Sequence, residues 1–569
     1  MPAWLLAGSL ALLAPAAGPK LELRHLWVYL STNMLVDRNV AEAEALIARA
    51  AKAGYNGLVL TDSKFLRWDD LPARYAANVA RVRAACRTHK LDCIAAVCPI
   101  GYSEGILGRD PNLAAGLPIV EAPFVVRGGK LLAAEEDAAL VNGGFEQWRG
   151  GRPAGWAFAD EPGKVTFADP AVVYRGKLSL RMQDVGAHGP HGNGRVMQKV
   201  KIAPFRQYHV SAVVRTRDFV AAGQVRVLVL GAGGRTLSYL EPRIAATQDW
   251  KRIDVTFNSL DSNEVGVYFG VWGGKGGTIW WDDCRLAPAG LVNLIRRDGA
   301  PLKVTSSDRE TVYVEGRDFA DARDRLMGNV SYRGTFSAWH TPPAPTVPPG
   351  SRLREGQTVL VSGFHTALIH WGQVCCCMSE PKVYDILDWQ IAQVKRHVQP
   401  DGYFMQHDEI RVAGWDESCT RRKLTPGQIL ADNVSRCAAI TRKRDAGKPF
   451  YVWSDMFDPH HNARKSGPYY LVKGDGPWWG SWERLPAEVI VVNWHGHQPG
   501  RLDSLRHFAA RGNRQILAGY YDGPPGRIAE WLRDAAEVNG VVGVMYTTWR
   551  HNYADLEAFA RAAGEATRR

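Results

Sequence analysis

Three ionisable side chains in a row, His407, Asp408 and Glu409, close the stretch Gly402-Tyr-Phe-Met-Gln-His-Asp-Glu409. A carboxylic acid can protonate a departing oxygen, and a carboxylate beside it can stabilise the positive carbon left behind; together these cleave a glycosidic bond. Other apolar runs end in residues suited to the same chemistry, namely Asp62, His365, Trp453 with Asp455, Trp494 with His495, Tyr521 with Asp522, and Trp549. Flat aromatic faces stack on sugar rings, and the chain has 20 tryptophans among 569 residues,. Neighbouring side chains alternate along a strand, so Asp408 and Glu409 reach one substrate only if the backbone turns at the strand end. The competing reading is an ion-pair cluster with Arg411.

The elements that carry these residues read as repeated βα units. Extended runs at 25–32, 57–62 and 92–99 alternate with helical spacing at 40–53, closed by Gly54, and at 75–89,. The pattern resumes with runs at 358–365, 402–409, 450–457, 489–495, 515–522 and 541–549. Such repeats imply a parallel sheet with helices outside, and barrels of this kind place their chemistry at strand C-termini. Nine runs compete for eight places, so either 92–99 or 358–365 is surplus. The fold class expected is α/β, a (β/α)8 TIM-type barrel interrupted by an all-β jelly-roll sandwich. A doubly wound sheet competes less well, because no Gly-rich phosphate loop follows the first strand.

The interruption spans 136–290, between barrel segments 19–135 and 357–569, with a connecting segment at 291–356. Short alternating runs at 196–202, 208–215, 225–230, 252–257, 265–271 and 278–282 predict an antiparallel sandwich,. Residues 313–319 read as the return into the barrel, and the proline-rich 341–350 as an extended loop near its mouth. The inserted segment carries Leu140-Val-Asn-Gly-Gly-Phe-Glu146, Gly155-Trp156, Gln248-Asp-Trp-Lys-Arg252 and Ile279-Trp-Trp-Asp-Asp283. With these motifs it resembles the carbohydrate-binding modules of the cellulose-binding jelly-roll type. That resemblance implies glycan stacking on Trp148, Tyr268 and Trp272, with Trp156 and Trp280 in the core. It also implies a structural calcium between Glu146 and Asp283, whose hard oxygens suit that ion; the alternative is that both acids cap turns.

The Asp408-Glu409 pair at the end of a barrel strand is similar to that of the family 20 β-hexosaminidases. The resemblance implies Glu409 as general acid/base and Asp408 as the residue that orients the substrate's own 2-acetamido group. Tyr521 and Asp522 would contact the sugar, and Trp453, Trp494 and Trp549 would line the pocket. The sequence departs from that family in Phe404-Met-Gln-His preceding the pair, in the lack of an arginine on the first strand, and in His551 after Trp549. A retaining mechanism with Asp522 or Asp455 as nucleophile fits nearly as well. The remaining substrate contacts expected are Asp62, His365 and His407.

Bulk properties narrow the field. The net charge is +12, spread along the chain without a basic-aromatic motif, so a nucleic-acid partner is not expected,. An apolar N-terminal run ending in small residues reads as a signal peptide over 1–18, which implies a secreted or periplasmic protein without a membrane span. Of the nine cysteines, one or two disulfides are expected among Cys86, Cys93, Cys98, Cys419 and Cys437, whereas Cys375-Cys376-Cys377 reads as buried thiols. Phe457-Asp-Pro-His-His-Asn462 reads as a loop turn, since adjacent histidines seldom share one ion. The function expected is a secreted glycoside hydrolase acting on a polysaccharide or oligosaccharide without a catalytic cofactor. The alternatives are a glycan-binding protein with a degenerate barrel and a barrel acting on another polyhydroxylated substrate.

Overall fold

The computed structural model describes residues 21–188, 191–220, 222–370 and 372–568, so the leader expected at 1–18 lies outside the described residues. Eight parallel strands close into a barrel: β1 (His25–Ser31), β2 (Gly57–Thr61), β3 (Asp92–Val97), β4 (Gly402–Met405), β5 (Phe450–Trp453), β6 (Ile490–Asn493), β7 (Gln515–Tyr520) and β8 (Val541–Thr547). Helices follow most strands, and they start and stop where local chemistry dictates. Asp37–Lys52 buries Val40, Ala43, Leu46, Ile47 and Ala50 along one stripe and ends before Gly54, whose φ is 91°,. Pro426–Arg444 opens with a capping box between Thr425 and Gln428 and with proline in its first turn,. Among the described residues the β5–β6 connection carries no α-helix, only 3₁₀ turns at Asp455–Phe457 and Ser481–Arg484 and the short strand Leu471–Val472.

Alternate residues of the ring point inward and fill it. Trp27, Tyr29, Val59, Ile94, Phe404, Tyr451, Trp453, Ile490, Val492, Ile516, Ala518 and Met545 form one buried cluster, which makes the barrel a packed core rather than a channel. Trp27 occupies its lower end and stacks edge-on with Tyr451.

The surplus run is the one at 358–365. Thr358–His365 pairs antiparallel with Leu117–Arg127 and Lys303–Ser306 in a separate sheet with its own core of Ile119, Phe124, Val304, Val359 and Val361. Its residues alternate between buried and more exposed, the mark of a strand with one solvated face, whereas β2, β4, β5 and β6 are buried throughout,. The proline-rich segment expected near the barrel mouth belongs to this sheet's surroundings, since Thr346 bridges to Lys130 and Ala320.

Two five-stranded antiparallel sheets form the sandwich. One orders Gln248–Asn258, Gln207–Val220, Gly276–Pro288, Ser179–Gln183 and Thr166–Asp169; the other orders Thr236–Leu240, Val225–Leu230, Glu264–Val271, Gly194–Lys201 and Phe158–Ala159. All six strands expected from alternation are present. All nine cysteines are buried and free, which corrects the expectation of disulfides; even the neighbouring thiols of Cys377 and Cys419 keep their sulfurs 3.6 Å apart.

Gly57 sits where the barrel floor is tightest, since a Cβ there would lie 2.3 Å from the Trp27 ring. Gly57→Ala should therefore destabilise the protein by about 1–3 kcal/mol through overpacking. Urea unfolding of the two proteins measures the difference.

Candidate functional site

Strand parity decides which side chains reach the barrel mouth. Phe404 points inward, so Gln406 and Asp408 continue on the inner side and His407 on the outer. The same count from Trp453 carries Asp455 inward, and from Val492 it carries Trp494. His407 accordingly turns into the helical layer, fully buried, with Nε2 2.9 Å from Asn433 Oδ1. Its expected contact with substrate is thereby corrected.

Asp455 is fully buried, and its carboxylate accepts three hydrogen bonds: from Trp494 Nε1 at 3.1 Å, from the Glu409 amide at 2.9 Å and from Asn462 Nδ2 at 2.8 Å. Burial nevertheless raises its pKa to about 6, helped by the charge of Glu409 and resisted by the three donors. Asp408 is pushed well above the carboxylate range, first by burial and then by the like charges of Asp455 and Glu409. Glu409 is held differently. Its backbone is left-handed, with φ 49°; Oε1 lies 2.7 Å from Arg411 Nη2, and Oε2 accepts from the Tyr102 hydroxyl at 2.5 Å. Arg411 is itself buried, and Glu409 and Tyr102 keep it charged against the cost of burial. The ion pair weighed from sequence therefore exists, but it holds Glu409 alone and leaves Asp408 outside it.

Aromatic rings surround the carboxyls. Trp453, 1% exposed, packs against Tyr29 and Phe404 and forms floor rather than wall. Trp549, 51% exposed, stands over Tyr29 with ring centres 5.3 Å apart. Trp494 and Tyr521 lie nearly parallel, 6.1 Å apart. Non-glycine residues with positive φ cluster at these strand ends, at Cys98, Glu409, Tyr520, Tyr521 and Asp522, a sparsely populated conformation of the kind concentrated at functional sites.

Three expected contacts carry structural duties, although Asp62 also lines the cavity at the mouth. Asp522 accepts from Thr548 Oγ1 at 2.6 Å and from the Trp549 amide at 3.2 Å, so it fixes the loop that presents Trp549 and is no free nucleophile. Asp62 caps the turn after β2, accepting the Met34 amide at 2.9 Å and the Lys64 amide at 3.0 Å. His365 is corrected outright. It ends a strand outside the ring, is fully buried, and bonds Asn258 Nδ2 at 2.9 Å, which fastens the third sheet to the sandwich; burial lowers its pKa to about 4.

A cavity of about 780 Å³ opens at the mouth, with Tyr29, Tyr102, Gln373 and Gln406 on the barrel side and Glu241 of the sandwich and Tyr332 opposite. Tyr102 and Gln373 join it to Glu409, since Gln373 Nε2 donates to the Glu409 carbonyl at 2.8 Å. Sequence reading missed Tyr29, Tyr102, Gln373 and Glu241. The parity of β1 was the available signal for Tyr29, whereas the other three lie on loops or come from the inserted segment.

On the sandwich, register aligns Tyr239, Leu228, Tyr268, Met197 and Phe158 in one row across the second sheet. Gly270 lies between Arg226 and Arg195 in a second row, and both guanidinium groups stand 5.7 Å from the Trp272 ring. Tyr268 and Trp272 thus share an aromatic and cationic face, whereas Trp148 packs on the core and donates Nε1 to the Phe145 carbonyl at 2.7 Å. Trp156 and Trp280 are buried, as expected. Glu146 and Asp283 do not fit a shared calcium ion: Glu146 accepts the Lys177 amide at 2.9 Å, and Asp283 pairs with Arg285 at 2.7 Å. The fully buried acid of that strand is Asp282, which accepts the Tyr174 and Arg175 amides.

Residues 137–280 match the family model described as a carbohydrate binding domain, which indicates a glycan partner. No curated protein matches the chain. Among solved structures, TmCBM61 in complex with β-1,4-galactotriose is 18% identical over 27% of this chain and 99% of its own, with a TM-score of 0.22. A xylan-binding domain from Paenibacillus barcinonensis is 16% identical over 27% of this chain and 97% of its own, at a TM-score of 0.20. A rhamnosidase from Novosphingobium sp. PP1Y is 11% identical over 97% of this chain and 59% of its own, at 0.32. The family match carries the glycan conclusion without these remote likenesses, and nothing in the comparisons supports the family 20 resemblance. No helix among the described residues is long and apolar enough to cross a membrane.

The raised pKa of Asp408 has a consequence for stability. Its folded pKa lies above the unfolded one, so its contribution is fully present below the unfolded pKa and is lost as pH rises through the folded value. Asp408→Asn removes that loss: its thermal midpoint should match wild type near pH 4 and exceed it at pH 8, as scanning calorimetry at the two pH values would show.

Proposed function

We propose that the chain is a glycoside hydrolase whose TIM-type barrel cleaves a glycosidic bond, with Asp408 as the proton donor. The observation that carries this reading is the pair of displaced carboxyls, Asp408 well above the usual range and Asp455 at about 6, beneath an aromatic mouth,. In this reading Asp408 protonates the glycosidic oxygen as the bond to the anomeric carbon breaks, and then takes a proton from the incoming water. Asp455 supplies negative potential beneath the developing positive charge, while Trp494 and Asn462 hold it in place. The acid role expected for Glu409 passes to Asp408, since both Glu409 oxygens are engaged by Arg411 and Tyr102.

Substrate assistance by a 2-acetamido group suits this arrangement. Of the two carboxylates weighed as nucleophiles, Asp455 is buried under three donors and Asp522 holds Trp549. The sandwich face of Tyr268 and Trp272 would hold the rest of the glycan, and export to the medium or periplasm belongs to the same reading.

A panel of aryl glycosides, including 2-acetamido sugars with weakly acidic leaving phenols, tests the proposal. Asp408→Asn should lower kcat by about 10²–10⁴-fold. Wild-type activity should rise with pH through the Asp455 pKa of about 6 and fall as pH passes the higher Asp408 value. Turnover unchanged in Asp408→Asn would overturn the assignment.

The Glu409–Arg411 ion pair favours a second reading, a glycan-binding protein with an inactive barrel. Under both readings Tyr268→Ala or Trp272→Ala should weaken retention on a polysaccharide gel, by about two- to ten-fold per ring. Retention by the wild type without turnover of any aryl glycoside would select the second.

A further inference from the structure

We propose that Asp458, His461 and His495 bind one first-row divalent cation, with zinc the best match to their donors, at a site beside the barrel mouth. One ligand atom from each residue lies within 4.8 Å of the other two. The unusual feature is what these atoms lack. Asp458 Oδ2, His461 Nδ1 and His495 Nδ1 are all buried, and none makes a well-formed hydrogen bond beyond the long Asp458–His495 approach; such poorly satisfied polar atoms are costly unless something satisfies them. Asp458 and His495 approach to 3.4 Å, close to the ~3.3 Å edge of a tetrahedron of ligands about 2.05 Å from zinc.

The surrounding backbone aims these atoms at each other. Asp458 Oδ1 accepts the His460 amide at 2.8 Å, which leaves Oδ2 facing the imidazoles. His461 donates its amide to the Asp458 carbonyl at 3.0 Å, so the tight turn that brings its ring back is set by the same residue. The amide of His495 is tied to Asn493 Oδ1 at 3.0 Å, and β5 and β6 are neighbours, which places the two loops side by side. The adjacent histidines therefore do not share an ion with each other; His461 pairs instead with a histidine from the next loop.

A second cluster, Cys377, Asp416 and Cys419, meets the same distance limit but is already satisfied. Asp416 Oδ1 accepts the Cys419 amide at 3.0 Å, and Oδ2 pairs with Arg297 at 2.8 Å. A buried guanidinium beside the carboxylate fills the place a cation would take.

The metal would be a positioning device. His461 packs against Trp494, with ring centres 4.3 Å apart, and Trp494 and Asn462 both donate to Asp455. The site stands whether or not the barrel is catalytic. The test uses the full chain, stripped with chelator and titrated with Co²⁺ and then Zn²⁺. One equivalent of Co²⁺ should bind with visible d–d absorption and without thiolate charge transfer, and Zn²⁺ should displace it and raise the thermal midpoint. Asp458→Asn and His495→Gln should each weaken binding at least about ten-fold, whereas His460→Ala should bind as wild type does. Failure of the wild type to take up one equivalent, a thiolate band, or equal binding by an Asp458→Asn/His495→Gln protein would each overturn the proposal.

Discussion

Three carboxyl groups share the mouth of this barrel with one buried guanidinium, and that imbalance governs the site. Arg411 can neutralise one of them, and it takes Glu409, which Tyr102 holds from the other side. Asp455 is left to neutral donors, which soften the cost of its charge without cancelling it. Asp408 gets only minor help, from a backbone hydrogen bond and the more distant charge of Arg411, and is driven well above the usual carboxylate range. Two adjacent carboxyl groups thus meet different surroundings, one paired with a guanidinium and the other pushed toward its protonated form. A proton donor at neutral pH requires such a separation.

Parity fixes that outcome before any side-chain contact does. Counting in twos from Phe404 sends Asp408 inward and His407 outward, and the backbone reversal at Glu409, with φ 49°, brings its side chain to Arg411. The pair was legible in the sequence as a place, at the end of a barrel strand. The division of roles was not, because it depends on Tyr102 and Gln373 from the β3–β4 connection and on Asp455 from the next strand. His365 shows the reverse case. It satisfied every local criterion for a strand-end ligand, yet its strand alternates in burial and belongs to another sheet. The run at 358–365 already carried that alternation, with Ser362 and Gly363 breaking its apolar character, whereas 92–99 did not.

The sandwich was the most legible part, since alternation reveals strands with one buried face. Its glycan-facing residues were read less evenly: Tyr268 and Trp272 lie on the outer face of the second sheet, whereas Trp148 braces the first turns. Tyr239, Arg226 and Gly270 went unnoticed because a binding face is set by cross-strand register, which the sequence of one strand does not contain.

The insertion point ties the two parts together. The long connection between β3 and β4 carries both the third sheet and the sandwich, with strands of the third sheet before and after the sandwich in the chain. Asn258 Nδ2 donates to the Pro118 carbonyl at 2.8 Å and reaches His365, which locks the sandwich to the third sheet. From that anchor the edge strand Thr236–Leu240 turns toward the barrel: Tyr239 lies 5.3 Å from the His370 ring, and Leu240, Glu241, Pro242 and Arg243 enter the cavity wall. The row that begins at Phe158 therefore ends at the cavity that Tyr102 and Gln373 join to Glu409, and in the proposed reading a glycan lying along it would point one end there. A module joined by a flexible tether would raise only the local concentration of a polymer, whereas one anchored in this way also selects the direction from which the chain enters.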